Sequence, residues 1–300
     1  MRILISGATG LVGKILVKQA LLEGHKIHFL TTQKSKQQSI EGAKGFYWNP
    51  NTNQIDVSCF DGVDSLIHLA GATVSKLWTK KYKQEILESR ILTTQLLVES
   101  LHKTKHQVKT VVSASAVGIY PSSLDKIHKE DDPSLPNSFM QKVVLDWEAM
   151  VDRFSDLDIK VSKLRIGLVL AKDGGVLATL KIPTEFGIGA AFGNGKQWQS
   201  WIHIADLATL FLRAATDKWE GVFNAVAPEV ISQNQFIKQI AKSINRPFFM
   251  PPIPKFLLQI LVGEMSTLVL NSHNVSAKKV QEKGFKYQFP TFQKACENLL

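Results

Sequence analysis

At 300 residues, with 44% hydrophobic and 21% charged side chains, the chain has the composition of a soluble globular protein with a sizeable core. Its two cysteines, Cys59 and Cys296, lie far apart without metal-ligand spacing, and no pair among the eight histidines has a zincin arrangement; neither a disulfide framework nor a metal site is expected. The formal charge of +10 suits either nucleic acid or anionic metabolites, but the lysines are dispersed and no aromatics are interleaved with them, so nucleic-acid binding is not expected.

The opening Met-Arg-Ile-Leu-Ile-Ser-Gly enters an apolar strand, Arg2 to Ile5, without room for a signal core, which predicts a cytoplasmic protein. Leu11 to Leu22 carries apolar residues at helical spacing and stops at Glu23-Gly24, and His25 to Leu30 reads as the second strand. Further strands are predicted at Ser65 to Leu69, Val108 to Ser113 and Ile159 to Leu164, separated by helices near Thr79 to His102 and Phe139 to Phe154. Beyond Arg165 the alternation becomes irregular. A helix from Ala205 to Ala215, a strand around Val222 to Val226, and a capping box at Ser232 and Gln235 opening a helix to about Ser243 are expected there. The proline-rich stretch Arg246 to Pro254 breaks the chain before another helix. The apolar run Phe256 to Leu270 is interrupted by Gln259 and Glu264 and is no membrane span, so no membrane partner is expected.

This pattern predicts an α/β fold, a Rossmann-type doubly wound parallel sheet with a smaller, interleaved C-terminal lobe. Residues 1–165 form the dinucleotide-binding domain, rejoined by a strand and helix at about 201–227. Residues 166–200 and 228–300 form the substrate lobe.

The turn Gly7-Ala8-Thr9-Gly10-Leu11-Val12-Gly13 follows a strand and opens a helix. Gly7 permits the tight turn, Gly10 lets the backbone approach a pyrophosphate and Gly13 permits close helix-to-strand packing, while the helix N-terminus offers free amides. A partner for an adenosine 2′-hydroxyl, an acid at the end of the second strand, is missing: Leu30-Thr31-Thr32-Gln33-Lys34-Ser35-Lys36 has no carboxylate before Glu41. Thr32, Gln33 and Lys34, with Lys36, are instead able to donate to a 2′-phosphate, which favours NADP(H) over NAD; the alternative is that both lysines are merely solvated.

With this turn, His68-Leu69-Ala70-Gly71, Ser113-Ala114-Ser115-Ala116-Val117-Gly118, Trp201-Ile202-His203-Ile204-Ala205-Asp206-Leu207 and Asn224-Ala225-Val226-Ala227-Pro228, the chain resembles the extended short-chain dehydrogenase/reductases. It is similar more closely to an atypical subgroup, the nucleoside-diphosphate-sugar epimerase-like proteins, through Ser89-Arg90, Leu164-Arg165-Ile166-Gly167, Gly193-Asn194-Gly195-Lys196-Gln197-Trp198, Arg246-Pro247 and Gly263-Glu264. The resemblance implies that Gly7, Gly10 and Gly13 hold the pyrophosphate, that Leu69, Ala70 and Gly71 line the cofactor with Ser113 and Arg165 nearby, and that Ser115 is the catalytic serine. That serine would bond a substrate oxygen as charge develops there; otherwise Ser113 and Ser115 satisfy strand-end backbone groups.

The tyrosine and lysine that the resemblance places four residues apart are missing: positions Asn51, Ile86, Leu124 and Thr291 follow the four tyrosines at that spacing. Aligning Trp147-Glu148 with the family's helix puts Met140 and Val144 at the pair's positions. Tyr120 is a candidate acid if its loop turns inward, and His203 a candidate titrating group beside the cleft; each has packing as its alternative. Lys142 is expected to be solvated. Trp198 and Trp201, with Lys196 and Gln197, suggest a substrate loop, although core packing explains tryptophans equally. The expected function is an NADP-dependent oxidoreductase or epimerase acting on a small carbonyl, sugar or nucleotide-sugar-like substrate; the alternative is a non-catalytic NADPH-binding sensor or assembly protein. The two long helices make a homodimer possible.

Overall fold

Strands covered on both faces need apolar residues at nearly every position, and the short greasy runs of the N-terminal half meet that need. A computed structural model describes residues 1–300. In chain order its first twelve strands are β1 (Arg2–Ser6), β2 (Lys26–Thr31), β3 (Ala43–Asn49), β4 (Gln54–Ile55), β5 (Ser65–His68), β6 (Thr110–Ala116), β7 (Ile127–His128), β8 (Lys160–Ile166), β9 (Leu168–Ala171), β10 (Trp198–Gln199), β11 (Trp201–His203) and β12 (Gly221–Ala225). Eight of them form the central sheet in the order β12-β8-β6-β5-β1-β2-β3-β4. Every neighbour pair in it is parallel except the antiparallel edge pair of β3 and β4.

The main helices are α1 (Leu11–Leu22), α2 (Lys80–Lys103), α3 (Phe139–Asp152), α4 (Gly175–Glu185), α5 (Ile204–Thr216), α6 (Gln233–Ser243) and α7 (Lys255–Val262). Side chains start several of them: Thr79 accepts from the Tyr82 amide, Ser138 from that of Gln141, and Ser232 and Gln235 form the expected capping box. Right-handed crossovers running outward in both directions from β1 put α1 and α2 on opposite faces of the sheet. There α1 pairs with α5, joined by a 2.7 Å hydrogen bond from Gln19 Nε2 to Thr209 Oγ1, and α2 pairs with α3. The returning α5 and β12 thus complete the N-terminal layer structure. Leu170, Leu177, Trp201, Phe236, Ile240 and Phe292 build a second, smaller core in the C-terminal lobe.

Among the elements absent from the sequence reading are β3 and α4. The first half of β3 reads Ala-Lys-Gly, a poor strand signature, yet Gly45 is required there because a Cβ would stand 2.3 Å from the Gln37 carbonyl oxygen. Helix α4 opens on Gly175 and contains Pro183, both helix breakers in isolation. No helix is long and apolar enough to cross a membrane.

Candidate functional site

The order of the sheet reverses between β1 and β5, and the loops leaving their carboxyl ends meet over the start of α1. Gly7 lies at φ +74°, and a Cβ there would be 3.0 Å from the Leu69 carbonyl carbon. At Gly13 a Cβ would be 2.2 Å from the Gly7 oxygen, so this contact admits no side chain. The α1 N-terminus has no side-chain cap and no acid in its first turn, which leaves its amides free for an anion. Ser6, ending β1, aligns the opposite loop: its Oγ accepts from the amides of Leu69 and Ala70 at 3.2 and 3.3 Å and bonds His68 Nδ1 at 2.7 Å. Burial lowers the His68 pKa to about 3, so this anchor is uncharged at neutral pH.

A cleft of about 340 Å³ runs over this cradle, lined by Gly7, Thr9, Gly10, Thr31, Thr32, Gln33, Lys36, Trp48, Pro50, Leu69, Ala70, Gly71, Ser89 and Thr93. No carboxylate borders it. Of the lysines at the end of β2, Lys36 reaches the cleft, whereas the Lys34 ammonium lies 5.1 Å over the Tyr47 ring and outside it, correcting the sequence assignment. Ala8 is buried beneath the turn and Leu11 packs beside Gly174, so neither presents a side chain to the cleft.

Leu69 and Gly71 also border an adjoining cavity of about 440 Å³. Val12, residues 114–118, Met140, Val144, Trp147 and residues 166–169 wall it from the sheet side, and Glu264, Thr267, Leu268, Asn271 and His273 close it from the C-terminal lobe. Met140 and Val144 therefore do face the cavity.

Ser115 borders the cavity but is only 3% exposed, and its Oγ donates to Glu148 Oε1 at 2.5 Å. Burial alone would raise the Glu148 pKa, but the Arg165 guanidinium, 2.9 and 3.0 Å from its two oxygens, and the Ser115 hydroxyl hold it below the usual carboxylate range. A serine has one proton, and this one lies on an ionised acid. Toward the cavity the oxygen offers lone pairs, not the donor expected from the sequence.

Several other expectations are corrected by packing. Arg165 is turned away from the cleft into a buried network with Glu148, the Tyr120 hydroxyl and the Glu130 carbonyl. Tyr120 is 1% exposed, donates to Asn224 Oδ1 at 2.7 Å and stacks on His128; burial pushes its pKa to about 12, and it does not border the cavity. Ser113 is fully buried and donates to the Ala114 carbonyl. His203 caps α5 by accepting from the Ala205 amide, bonds Asn298 and stacks on Phe289; burial lowers its pKa to about 4.

The expected substrate loop is likewise structural. Trp201 is fully buried edge-on to Phe292, and Trp198 donates its indole N–H to the Leu124 carbonyl. The Gln197 amide ties the carbonyls of Phe192 and Val269, and Lys196 is exposed. None of these four borders the cavity; Gln199 and Ser200, between the two tryptophans, do. Lys142 is solvated and paired with Asp146.

Among the cavity residues that the sequence reading did not name as site residues are Arg90 and His273. Arg90 of α2 lies across the Trp147 ring at 5.1 Å, and its Nη1 donates to the carbonyls of Ala72 and Ile86. His273 donates from Nε2 to the Tyr120 carbonyl at 3.1 Å, since a carbonyl only accepts. Burial lowers its pKa to about 4, so Nδ1 is a neutral acceptor. No periodicity flags either residue, because each gains meaning only from elements remote in the chain.

Residues 3–155 match the NAD dependent epimerase/dehydratase family, and residues 253–299 match a domain of unknown function, DUF1731. An epimerase family protein of Staphylococcus saprophyticus is 38% identical over 99% of this chain and 98% of its own. A human epimerase family protein solved with NADPH superposes with TM-score 0.85 at 26% identity, over 100% of this chain and 99% of that one. A nucleoside-diphosphate sugar epimerase from Corynebacterium glutamicum superposes with TM-score 0.80 at 29% identity, over 100% of this chain and 58% of the other.

Proposed function

The chain belongs to the NAD dependent epimerase/dehydratase family, and from that premise we propose that it is an NADP(H)-dependent oxidoreductase or epimerase-like enzyme for a small carbonyl, sugar or nucleotide-sugar-like substrate. The observation that carries this reading is the continuity of the glycine cradle with a largely apolar cavity at the sheet's switch point. The free amides of the uncapped α1 N-terminus would hold the pyrophosphate, with Gly7, Gly10 and Gly13 keeping the turn tight where any Cβ would press on backbone. Thr32, Gln33 and Lys36 would hold the 2′-phosphate, which an acid would repel. The NADPH bound by the human relative supports the same preference.

When bound, the nicotinamide supplies hydride transfer. The chain's own residues do the rest. Ser115, fixed by Glu148, accepts a hydrogen bond from a substrate hydroxyl, and His273, neutral with Nε2 on a carbonyl, is a second acceptor on the cavity wall that orients it. Met140 and Val144 exclude water at the positions where the resemblance implies tyrosine and lysine.

A second reading, a protein that holds NADPH without turnover, is favoured by the same two apolar side chains, since neither exchanges a proton. Thermal unfolding with NADPH, NADP, NADH and NAD tests the cofactor: a ligand at 100 times its Kd adds about 2.7 kcal/mol of stability. Stabilisation by none of the four removes the proposal. NADPH oxidation against aldehydes, ketones and nucleotide sugars then separates the enzyme from the sensor.

A further inference from the structure

Among the residues bordering the cavity only Arg90, Glu264 and His273 carry ionisable side chains. Glu264 is already neutralised, its carboxylate 2.6 Å from Lys83 Nζ. His273 is held in its neutral form, with Nε2 donating to a carbonyl. Arg90 is different. It forms no ion pair with any carboxylate, and its guanidinium is steadied only by two backbone carbonyls at Nη1 and by the Trp147 ring.

The remaining guanidinium donors, at Nε and Nη2, have no protein partner, and neither is sealed from solvent. A half-buried arginine with one corner tied down and the adjoining edge open is a pre-ordered fork. Planar carboxylates fit such an edge through two parallel hydrogen bonds. The cavity supplies a single uncompensated positive charge, which matches a monoanion better than a phosphate dianion. Apolar walls from Val74, Trp78, Phe139 and Met140 strengthen that attraction by keeping water away.

We infer that the cavity binds a small organic acid, its carboxylate held by the Nε–Nη2 edge of Arg90. The inference rests on the proposed function and narrows its substrate to a carbonyl or hydroxyl compound bearing a carboxylate. Ser115 Oγ and His273 Nδ1 then serve as acceptors for the hydroxyl end of the same molecule. The cofactor's own phosphates are the competing source of negative charge for Arg90.

Calorimetry on the full chain, with and without saturating NADPH, tests the assignment using pyruvate and lactate as probes, acetone and propan-2-ol as uncharged counterparts, and inorganic phosphate. The acids should bind the NADPH-loaded protein at least tenfold more tightly than the uncharged compounds or phosphate. Arg90→Lys keeps the charge and the packing stem but loses the fork, and should weaken the acids about tenfold while changing NADPH affinity less than threefold; Arg90→Gln should abolish acid binding. Uptake of NADPH by the parent with no preference for the acids overturns the inference alone. A tenfold loss of NADPH affinity in Arg90→Lys with acid binding unchanged also overturns it, assigning the guanidinium to the cofactor. Acid binding that depends on Arg90 in a parent that takes up no dinucleotide supports the inference and sinks the cofactor reading instead.

Discussion

Ser115 Oγ, at the end of β6, donates its only proton to Glu148 Oε1 of α3 across 2.5 Å. That bond fixes the hydroxyl at the cavity wall and reverses its polarity toward a ligand. Glu148 is itself held by Arg165, with Lys163 Nζ 3.9 Å away, so strand and helix are joined by a buried ionic network. Ser115→Ala should leave NADPH affinity unchanged while weakening a hydroxyl-bearing ligand by about tenfold, the value of one hydrogen bond in a desolvated site. Calorimetry with both ligands checks it, and a loss of NADPH binding instead would refute the placement.

The acid sensitivity of folding follows from the same network. Glu148 has a folded-state pKa below the unfolded value of 4.5, so its contribution is complete above pH 4.5 and is lost as pH falls through the lower folded value. Glu148→Gln leaves Arg165 without its counter-charge and should destabilise the protein by about 3 kcal/mol at neutral pH. Urea unfolding from about pH 3 to about pH 7 should show a shallower acid limb for the variant than for the parent. Parallel curves would mean the carboxylate is not held ionised by folding.

Tyr120 bridges Asn224 Oδ1 and Arg165 Nη1 within the core. Tyr120→Phe leaves the Asn224 oxygen without that donor, and a loss of about 1–3 kcal/mol in stability is expected. Turnover per folded molecule should be retained. Collapse of turnover at unchanged stability would restore the phenol as the proton donor.

Lys36 is the cation bordering the cleft over the glycine cradle. Lys36→Glu should weaken NADPH by at least about tenfold, or 1.4 kcal/mol, and NADH far less, because the new charge repels only a 2′-phosphate. Titration of the intrinsic tryptophan fluorescence with each dinucleotide measures the ratio. Equal losses for both would place the 2′-phosphate elsewhere.

At Gly13 the contact with the Gly7 oxygen has no slack. Gly13→Ala forces α1 off β1, at about 1–3 kcal/mol, and should remove stabilisation by any dinucleotide. A variant that melts lower yet still gains stability from NADPH would show that the cradle tolerates the shift.

The cradle and the strand–helix alternation of the first half were legible because both are local: a glycine triplet and an apolar period state their requirements within about a dozen neighbours. Helix α1 falls on the expected Leu11–Leu22, and the other major elements of that half lie within a few residues of expectation. By contrast β3 and α4 were invisible because Gly45 and Pro183 signal a break unless tertiary contacts demand them. Trp198, Trp201, Tyr120 and His203 read equally as core or as site, and only the packed structure shows the polar groups of Trp198, Tyr120 and His203 bonded to other partners and the Trp201 ring packed on Phe292. Arg90 and His273 gained their roles in the same way, through convergence on one cavity of α2 and a distant C-terminal segment. Composition and spacing determine where a chain turns and what it buries. Which lone pair or N–H faces a ligand depends on which competing partners lie within about 3 Å, and that is set only when remote segments meet.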